Sequence, residues 1–370
     1  MALLAALSLL AAACGGGSTA SGDETSSSQD EAAATAEPEP EPTEEPTPEP
    51  TAEPTPEPTE EPVVEDDSSD GDTMTDTPGD ESDENAVTVD APPIGETEVT
   101  LIDAGAEPRM ELRLDIAATC RETATMTQVQ ELNQTVDGTE LPSVGAIGTV
   151  VQMESSAVRT NDNFEVRSEV INAASAEDTP AEVVDAIDAQ LAVLVGLLQF
   201  QTINDRGIPD PDLTRVEGLE GLGTGAELVE TLSSQSLTPF PLEAVGPGAR
   251  WQAVASLELQ GLDLISISDV ELVSIDGTVV ELIISTTQQI GADNTMNVQG
   301  VTAEVLEWES TAIGVTTLDL ATVLPITSSV AAEAFQILSV AGAGEIEQEI
   351  SSELTITSEA SSCTGSSVSP

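Results

Sequence analysis

From residue 110 onward the chain alternates between apolar and polar positions. Met110–Ile116 sets Leu112, Leu114 and Ile116 on one side and charged residues on the other, the period-two mark of a half-buried strand. Thr125–Val136 continues in this style to a hairpin turn at Asp137-Gly138, and Thr149–Ser155 and Asn163–Ile171 read as further strands. The second half repeats the pattern over Trp251–Gln260 and Leu262–Ile275, then a turn at Asp276-Gly277. Thr278–Gln288, Val301–Glu309, Ile313–Leu320 and Glu345–Thr357 follow. One segment departs from it. Thr179-Pro180 predicts a helix start, and Val184, Ile187, Leu191, Leu194, Val195 and Leu198 then recur at helical spacing. Leu191–Leu198 is apolar all round, which predicts a helix buried in the core. Further helices are predicted over Gly225–Ser234 and Val330–Leu338.

Composition changes near residue 90. The preceding stretch has almost no large apolar side chains, and its centre, Glu37–Pro62, alternates Pro with Glu and Thr. Proline at every second or third position favours an extended polyproline II chain, and the glutamates repel one another. Such a segment buries too little surface to offset its ordering entropy. At about 3.1 Å per residue, roughly 26 residues reach about 80 Å. Asp70-Gly-Asp72 with Asp76 lacks the spaced acids of a calcium loop and reads as solvated linker. The organisation predicted is a leader over 1–14, a disordered acidic tether over 15–90 and a β-rich domain over 91–370.

Charge then narrows the chemistry. The formal net charge is −61; all 8 basic residues are Arg, and 25 of the 69 acids lie within the first 90 residues. Nucleic-acid binding requires clustered Lys and Arg, as does adhesion of a basic patch to an anionic membrane. Both are argued against. His, Lys and Tyr are absent, so the commonest general bases and electrophilic groups are missing. A carboxylate pair can serve a glycosidase, yet the sequence singles out no pair. No cofactor or metal is implied, and the composition argues against an enzyme. The acid excess resembles that of salt-adapted proteomes, where it serves solubility.

Leu3–Ala13 is a short apolar run ending in small residues at Cys14, with Gly15, Gly16 and Gly17 following. This resembles the leader and lipobox of a bacterial lipoprotein, with Ala11 where Leu is usual. The resemblance implies that Cys14 is acylated and that the protein is extracytoplasmic, anchored to the cell membrane by lipid. The run is too short to span a bilayer. It lacks the basic residues that normally precede such a leader, which predicts a start upstream of Met1 or an incomplete chain. Pro239–Trp251 (PFPLEAVGPGARW), Glu271–Gly277 and Leu318–Pro325 resemble, in that order, an uncharacterised family of secreted actinobacterial lipoproteins. The resemblance covers roughly residues 105–360 and supplies no catalytic residues. Glycines 246 and 248 are expected to serve a tight turn and Trp251 to fill the core.

A broader resemblance is to the lipoprotein-carrier fold, including mycobacterial lipid-carrying lipoproteins. It implies an α+β, mainly β fold, in which a large bent antiparallel sheet of two similar halves packs on a central apolar helix. Val184, Ile187, Leu191, Leu194, Val195 and Leu198 then either line an apolar pocket for a lipid-like ligand or simply fill the core. With Cys14 acylated, Cys120 and Cys363 form an even pair in an oxidising compartment. A disulfide between them would close a loop worth about 4–5 kcal/mol in the chain-entropy model. Two free thiols are the alternative. The expected function is a membrane-anchored lipoprotein that holds or carries a hydrophobic ligand. The other readings are an envelope protein with structural or protein-binding duty and, last, a carboxylate hydrolase.

Overall fold

In a computed structural model of the chain, the described residues are 91–116, 120–161, 163–218, 238–259, 261–298 and 301–363. Cys14, the tether expected over 15–90 and the helix expected over Gly225–Ser234 lie outside them. The strands are β1 (Thr97–Asp103), β2 (Cys120–Val136), β3 (Thr139–Glu140), β4 (Ile147–Thr160), β5 (Asn163–Ser175), β6 (Leu198–Asn204) and β7 (Arg215–Glu217). After them come β8 (Arg250–Leu259), β9 (Leu262–Asp276), β10 (Val279–Ile290), β11 (Thr295–Val298), β12 (Val301–Asp319), β13 (Thr327–Val340) and β14 (Gly344–Cys363). Among the described residues there is one α-helix, α1 (Ala181–Leu191), which runs into a 3-10 turn, Ala192–Leu194; another 3-10 turn spans Pro211–Leu213. Among the described residues no helix is long and apolar enough to cross a membrane.

The strands form a 14-stranded antiparallel sheet in the order β1-β8-β9-β10-β12-β13-β14-β2-β4-β5-β6-β7, with β11 on β12 and β3 on β2. It consists of two meanders. One runs from β2 through β4 and β5 to β7, the other from β8 to β14, and the pairing of β14 with β2 joins them. Local chemistry sets the hairpins. Asp137 and Gly138 both have positive φ (47° and 74°), the requirement of a two-residue turn whose twist matches its strands. Gly277, at φ 64°, opens the loop between β9 and β10.

Several expectations are corrected. The segments expected as two strands, Val301–Glu309 and Ile313–Leu320, are one continuous strand, β12, with an irregularity between Val305 and Glu307. Val330–Leu338, expected as a helix, lies within β13. Its Ala and Glu favour helix, but pairing on both sides overrides that preference. Helix α1 ends at Leu191, the only buried residue it contributes, and packs against β5 instead of running through the centre. The chain leaves helical geometry at Val195, which is extended (φ −69°, ψ 125°), turns at Gly196 (φ 88°), and Leu198 opens β6. Thr179 does not cap α1. Its hydroxyl donates to the Gly148 carbonyl (2.8 Å) and accepts from the Gly148 N–H (3.1 Å).

Met110–Ile116 is not a ladder strand either. Its alternation nevertheless gives the correct burial, with Leu112, Leu114 and Ile116 exposed by only 0%, 2% and 1%. The segment crosses the main core, held by N–H bonds from Leu114 to the Asp205 carbonyl and from Asp115 to that of Leu320, both 2.7 Å. Each such burial stabilises by about 1.5–3 kcal/mol. The core around it takes Phe164, Val166 and Ile203 from one meander, and Trp251, Val270, Leu272, Leu282 and Leu318 from the other.

The stretch leading into β8 is fixed by backbone acceptors. Trp251 is fully buried, and its Nε1–H donates to the Pro239 carbonyl at 2.9 Å. Arg113 donates to the carbonyls of Pro241 (2.9 Å) and Leu242 (2.7 Å), and Arg206 to that of Phe240 (2.7 Å). Three of the scarce cationic and indole donors are therefore spent on one loop. Gly248 (φ 80°) serves the turn, but Gly246 is required for another reason: a Cβ there would collide with the Ala106 carbonyl oxygen and lie 2.9 Å from that of Pro108. Gly246→Ala is expected to cost about 1–3 kcal/mol or more by overpacking. Gly248→Ala, with nothing within 4 Å of the added methyl, should cost about 1–2 kcal/mol through its left-handed backbone. Thermal unfolding of the two variants checks this order.

Candidate functional site

Register places the alternate residues of every strand on one of two faces, and these faces differ in chemistry. On one lie Ala253, Ser268, Thr286, Ala312, Ala332, Ser352 and Gln130, a row of small or neutral residues aligned across seven neighbouring strands. Among the described strand residues, the charged side chains of this face are Glu122 and, at the exposed end of β4, Arg159. The other carboxylates of the strands occupy the opposite face. Their register keeps them apart: Glu347, Glu349 and Glu353 of β14 stand opposite Thr135, Asn133 and Val129 on β2, and opposite Ile337, Phe335 and Ala331 on β13. Like charges directly opposite would destabilise the sheet. Two acids meet directly at Glu258 and Asp263, beside the β8–β9 turn, and at Glu154 and Glu169, where Arg121 bonds the first at 2.9 Å and Arg167 the second at 2.8 Å.

Along the strand axis the neutral face has three zones. At one end is the main core described above. At the other is a second apolar cluster built from Leu257, Leu259, Leu262, Leu264, Met296, Ala303, Val305 and Leu338. Between them the side chains shrink. β8 passes from Trp251 through Ala253 and Ala255 to Leu257, and β9 from Leu264 through Ser266 and Ser268 to Val270. β12 passes from Trp308 through Ser310, Ala312 and Gly314 to Thr316 and Leu318. A Cβ on Gly314 would lie 2.8 Å from both the Ser329 carbonyl oxygen and a Val330 methyl. The result is a trough of small side chains between two apolar banks, in which Ala312 and Ala332 pack against a third, smaller cluster of Val330 and Leu354.

Polar groups in and beside the trough are paired across strands. Ser268 bonds Thr286 and Thr316 bonds Ser328, both at 2.9 Å, and Ser155 bonds Ser168 at 2.6 Å. Such pairing removes the cost of burying hydroxyls. Next to the trough, Trp308, Gln336, Gln348 and Gln134 are aligned across β12, β13, β14 and β2. Gln336 Nε2 donates to Gln348 Oε1 in a short contact. Among the described residues, three buried side-chain atoms lack a hydrogen-bond partner: Ser256 Oγ, Trp308 Nε1 and Gln336 Oε1.

Sequence reasoning centred the site elsewhere. Val184, Ile187 and Leu194 are half-buried, Leu191 is buried, Val195 is 48% exposed and Leu198 begins β6. The helix that carries the first of these docks on β5 through Asp188, whose Oδ1 accepts the Ser175 N–H at 2.8 Å. That bond holds the Asp188 carboxyl below its ordinary pKa. The trough residues were missed because no one of them stands out in sequence. Only the register, which aligns every second Ser and Ala of distant strands, reveals them.

Glu122 is the one buried carboxylate of the neutral face, at 2% exposure. Its two oxygens accept the Val323 N–H (2.9 Å) and the Leu324 N–H (2.8 Å), fastening the β12–β13 loop to β2. Burial pushes its pKa above the ordinary value, against the lowering effect of the two N–H donors. The folded state therefore holds the Glu122 proton more tightly than the unfolded chain. Its contribution is complete below about pH 4.5 and is lost as pH rises through the folded value. Glu122→Gln sets an amide NH2 against one of the two backbone donors and should cost about 1–3 kcal/mol at low pH. This deficit relative to the parent protein should shrink as pH rises. Urea titrations of both proteins between pH 4 and pH 8 test the sign. No protein-family model matches this chain, and a comparison with curated proteins finds none that matches it.

Proposed function

We propose that this protein is a lipid-anchored extracytoplasmic lipoprotein whose β-rich domain holds a neutral, largely apolar ligand against the neutral face of its sheet. The observation that carries this reading is the trough: small, uncharged side chains flanked by two apolar clusters in a chain of net charge −61. Keeping acids off one face of so acidic a sheet leaves a surface compatible with hydrocarbon and hostile to anions.

A bent sheet belongs to the same proposal. β10 and β5 are six strand steps apart in the sheet order, about 29 Å if flat, yet both contribute to one core. Curvature of that kind turns the neutral face into the wall of a cleft. A disulfide between Cys120 and Cys363 completes the proposal; the two residues are direct register partners at the end of the β2–β14 pairing, a spacing within reach of a disulfide.

A second reading, an envelope scaffold without ligand, is favoured by the low exposure of Ala253 (5%), Ser266, Thr286 and Ser352 (7% each). Mass spectrometry of native, detergent-free protein distinguishes the two. The binding reading predicts a near-stoichiometric neutral lipid in the organic extract, an acylated Cys14 at the amino end and a Cys120–Cys363 linked peptide. It further predicts that Ala312→Trp, which fills the trough, abolishes the co-extracted lipid. An extract without lipid above background overturns ligand carriage, and an unmodified leader overturns the anchor.

A further inference from the structure

Trp308 and Gln336 are direct partners across β12 and β13, and both side chains lie on the neutral face. Trp308 packs against the second apolar cluster beside Leu338. Gln336 is 3% exposed, and so is Gln348 next to it. Between them these residues leave one donor, Trp308 Nε1–H, and one acceptor, Gln336 Oε1, buried and without partners among the described residues. An unmet buried donor or acceptor costs about 1–3 kcal/mol, and here two of opposite kind occur on residues that are direct register partners. Turning the Gln336 amide over would set its oxygen against the Gln348 oxygen, so Nε2 is the donor to Gln348 and Oε1 is the unmet atom.

We infer that this pair binds the hydroxyl of an aliphatic alcohol whose hydrocarbon part lies along the trough, an inference that rests on the ligand-holding reading above. A hydroxyl is the smallest neutral group that accepts from an indole N–H and donates to an amide oxygen at once. An ester or ether oxygen satisfies Trp308 alone and leaves Gln336 unmet. A carboxylate would bring a charge to a face whose one cation, Arg159, is at the far end of the strands and already bonded to Asp115 at 2.7 Å. The neighbours are small: Ser310 and Ala334, also register partners, adjoin Trp308 and Gln336 along their strands. Because the two atoms are enclosed, a ligand reaches them by displacing the Trp308 ring, and the unmet polar groups favour that displacement.

The test is the affinity of the full-length protein for decanol against decyl methyl ether, measured by calorimetry. The two probes have similar apolar surface but differ in the donor. The expected result is at least tenfold tighter binding of decanol. Trp308→Phe and Gln336→Met should each bring that ratio near one while ether binding persists, with unchanged circular dichroism showing that the variants fold. Equal binding of the two probes by the parent protein overturns the hydroxyl site but leaves the apolar-ligand reading standing. Binding of neither probe overturns both. The parent ratio decides the matter even if one variant fails to fold.

Discussion

The pairing of β14 with β2 is the constraint on which the rest of the structure depends. It runs from Val136 opposite Ile346 to Cys120 opposite Cys363, joining segments more than two hundred residues apart. Without it the two meanders have no common sheet, because every other ladder within them links near neighbours in sequence. Closing so long a loop carries an entropic cost that grows only slowly with length, and the length of the ladder offsets it. The same pairing places Glu122 under the β12–β13 loop, and it brings Gln134 into line with Gln348, Gln336 and Trp308. The fold and the candidate site therefore share one cause.

Charge is the second organising force. An acidic chain gains solubility from self-repulsion but loses compactness to it. This sheet manages the conflict through register. Carboxylates of β14 face neutral residues on both neighbours, and Arg121 and Arg167 stand where two acids would otherwise oppose each other. Five of the six remaining arginines are similarly committed: Arg109 to the Gly105 carbonyl, Arg113 and Arg206 to the carbonyls of the loop before β8, Arg159 to Asp115 and the Phe164 ring, Arg215 to Glu217 and the Phe200 ring. With cations so few, seven of the eight arginines hold the fold, and the neutral face is kept almost free of charge.

Much of this was legible in the sequence. Period-two alternation located β2, β9, β10 and β14, and Asp137-Gly138 and Gly277 marked their turns. Alternation also predicted the burial of Leu112, Leu114 and Ile116, although these residues cross the core without joining a ladder; periodicity reports which side is dry, not which neighbour supplies the hydrogen bond. Helical spacing misled twice. In Val330–Leu338 the helix-favouring Ala and Glu were overruled by two flanking strands. In Leu191–Leu198 the apolar spacing continues past Leu194, but the chain becomes extended at Val195 and turns at Gly196. The trough and the Trp308–Gln336 pair were not legible at all, since they arise from the alignment of strands far apart in the chain.

Native-state amide hydrogen exchange tests the central claim most directly. If the β2–β14 pairing holds the domain together, the amides of Thr125–Glu131 and Ser351–Thr357 should exchange in the slowest class, opening only with global unfolding. The β8–β10 hairpins should lose protection in the same step. Early exchange of β2 and β14 while β8–β10 stays protected would contradict the account, because the two meanders would then be stable without the pairing that unites them.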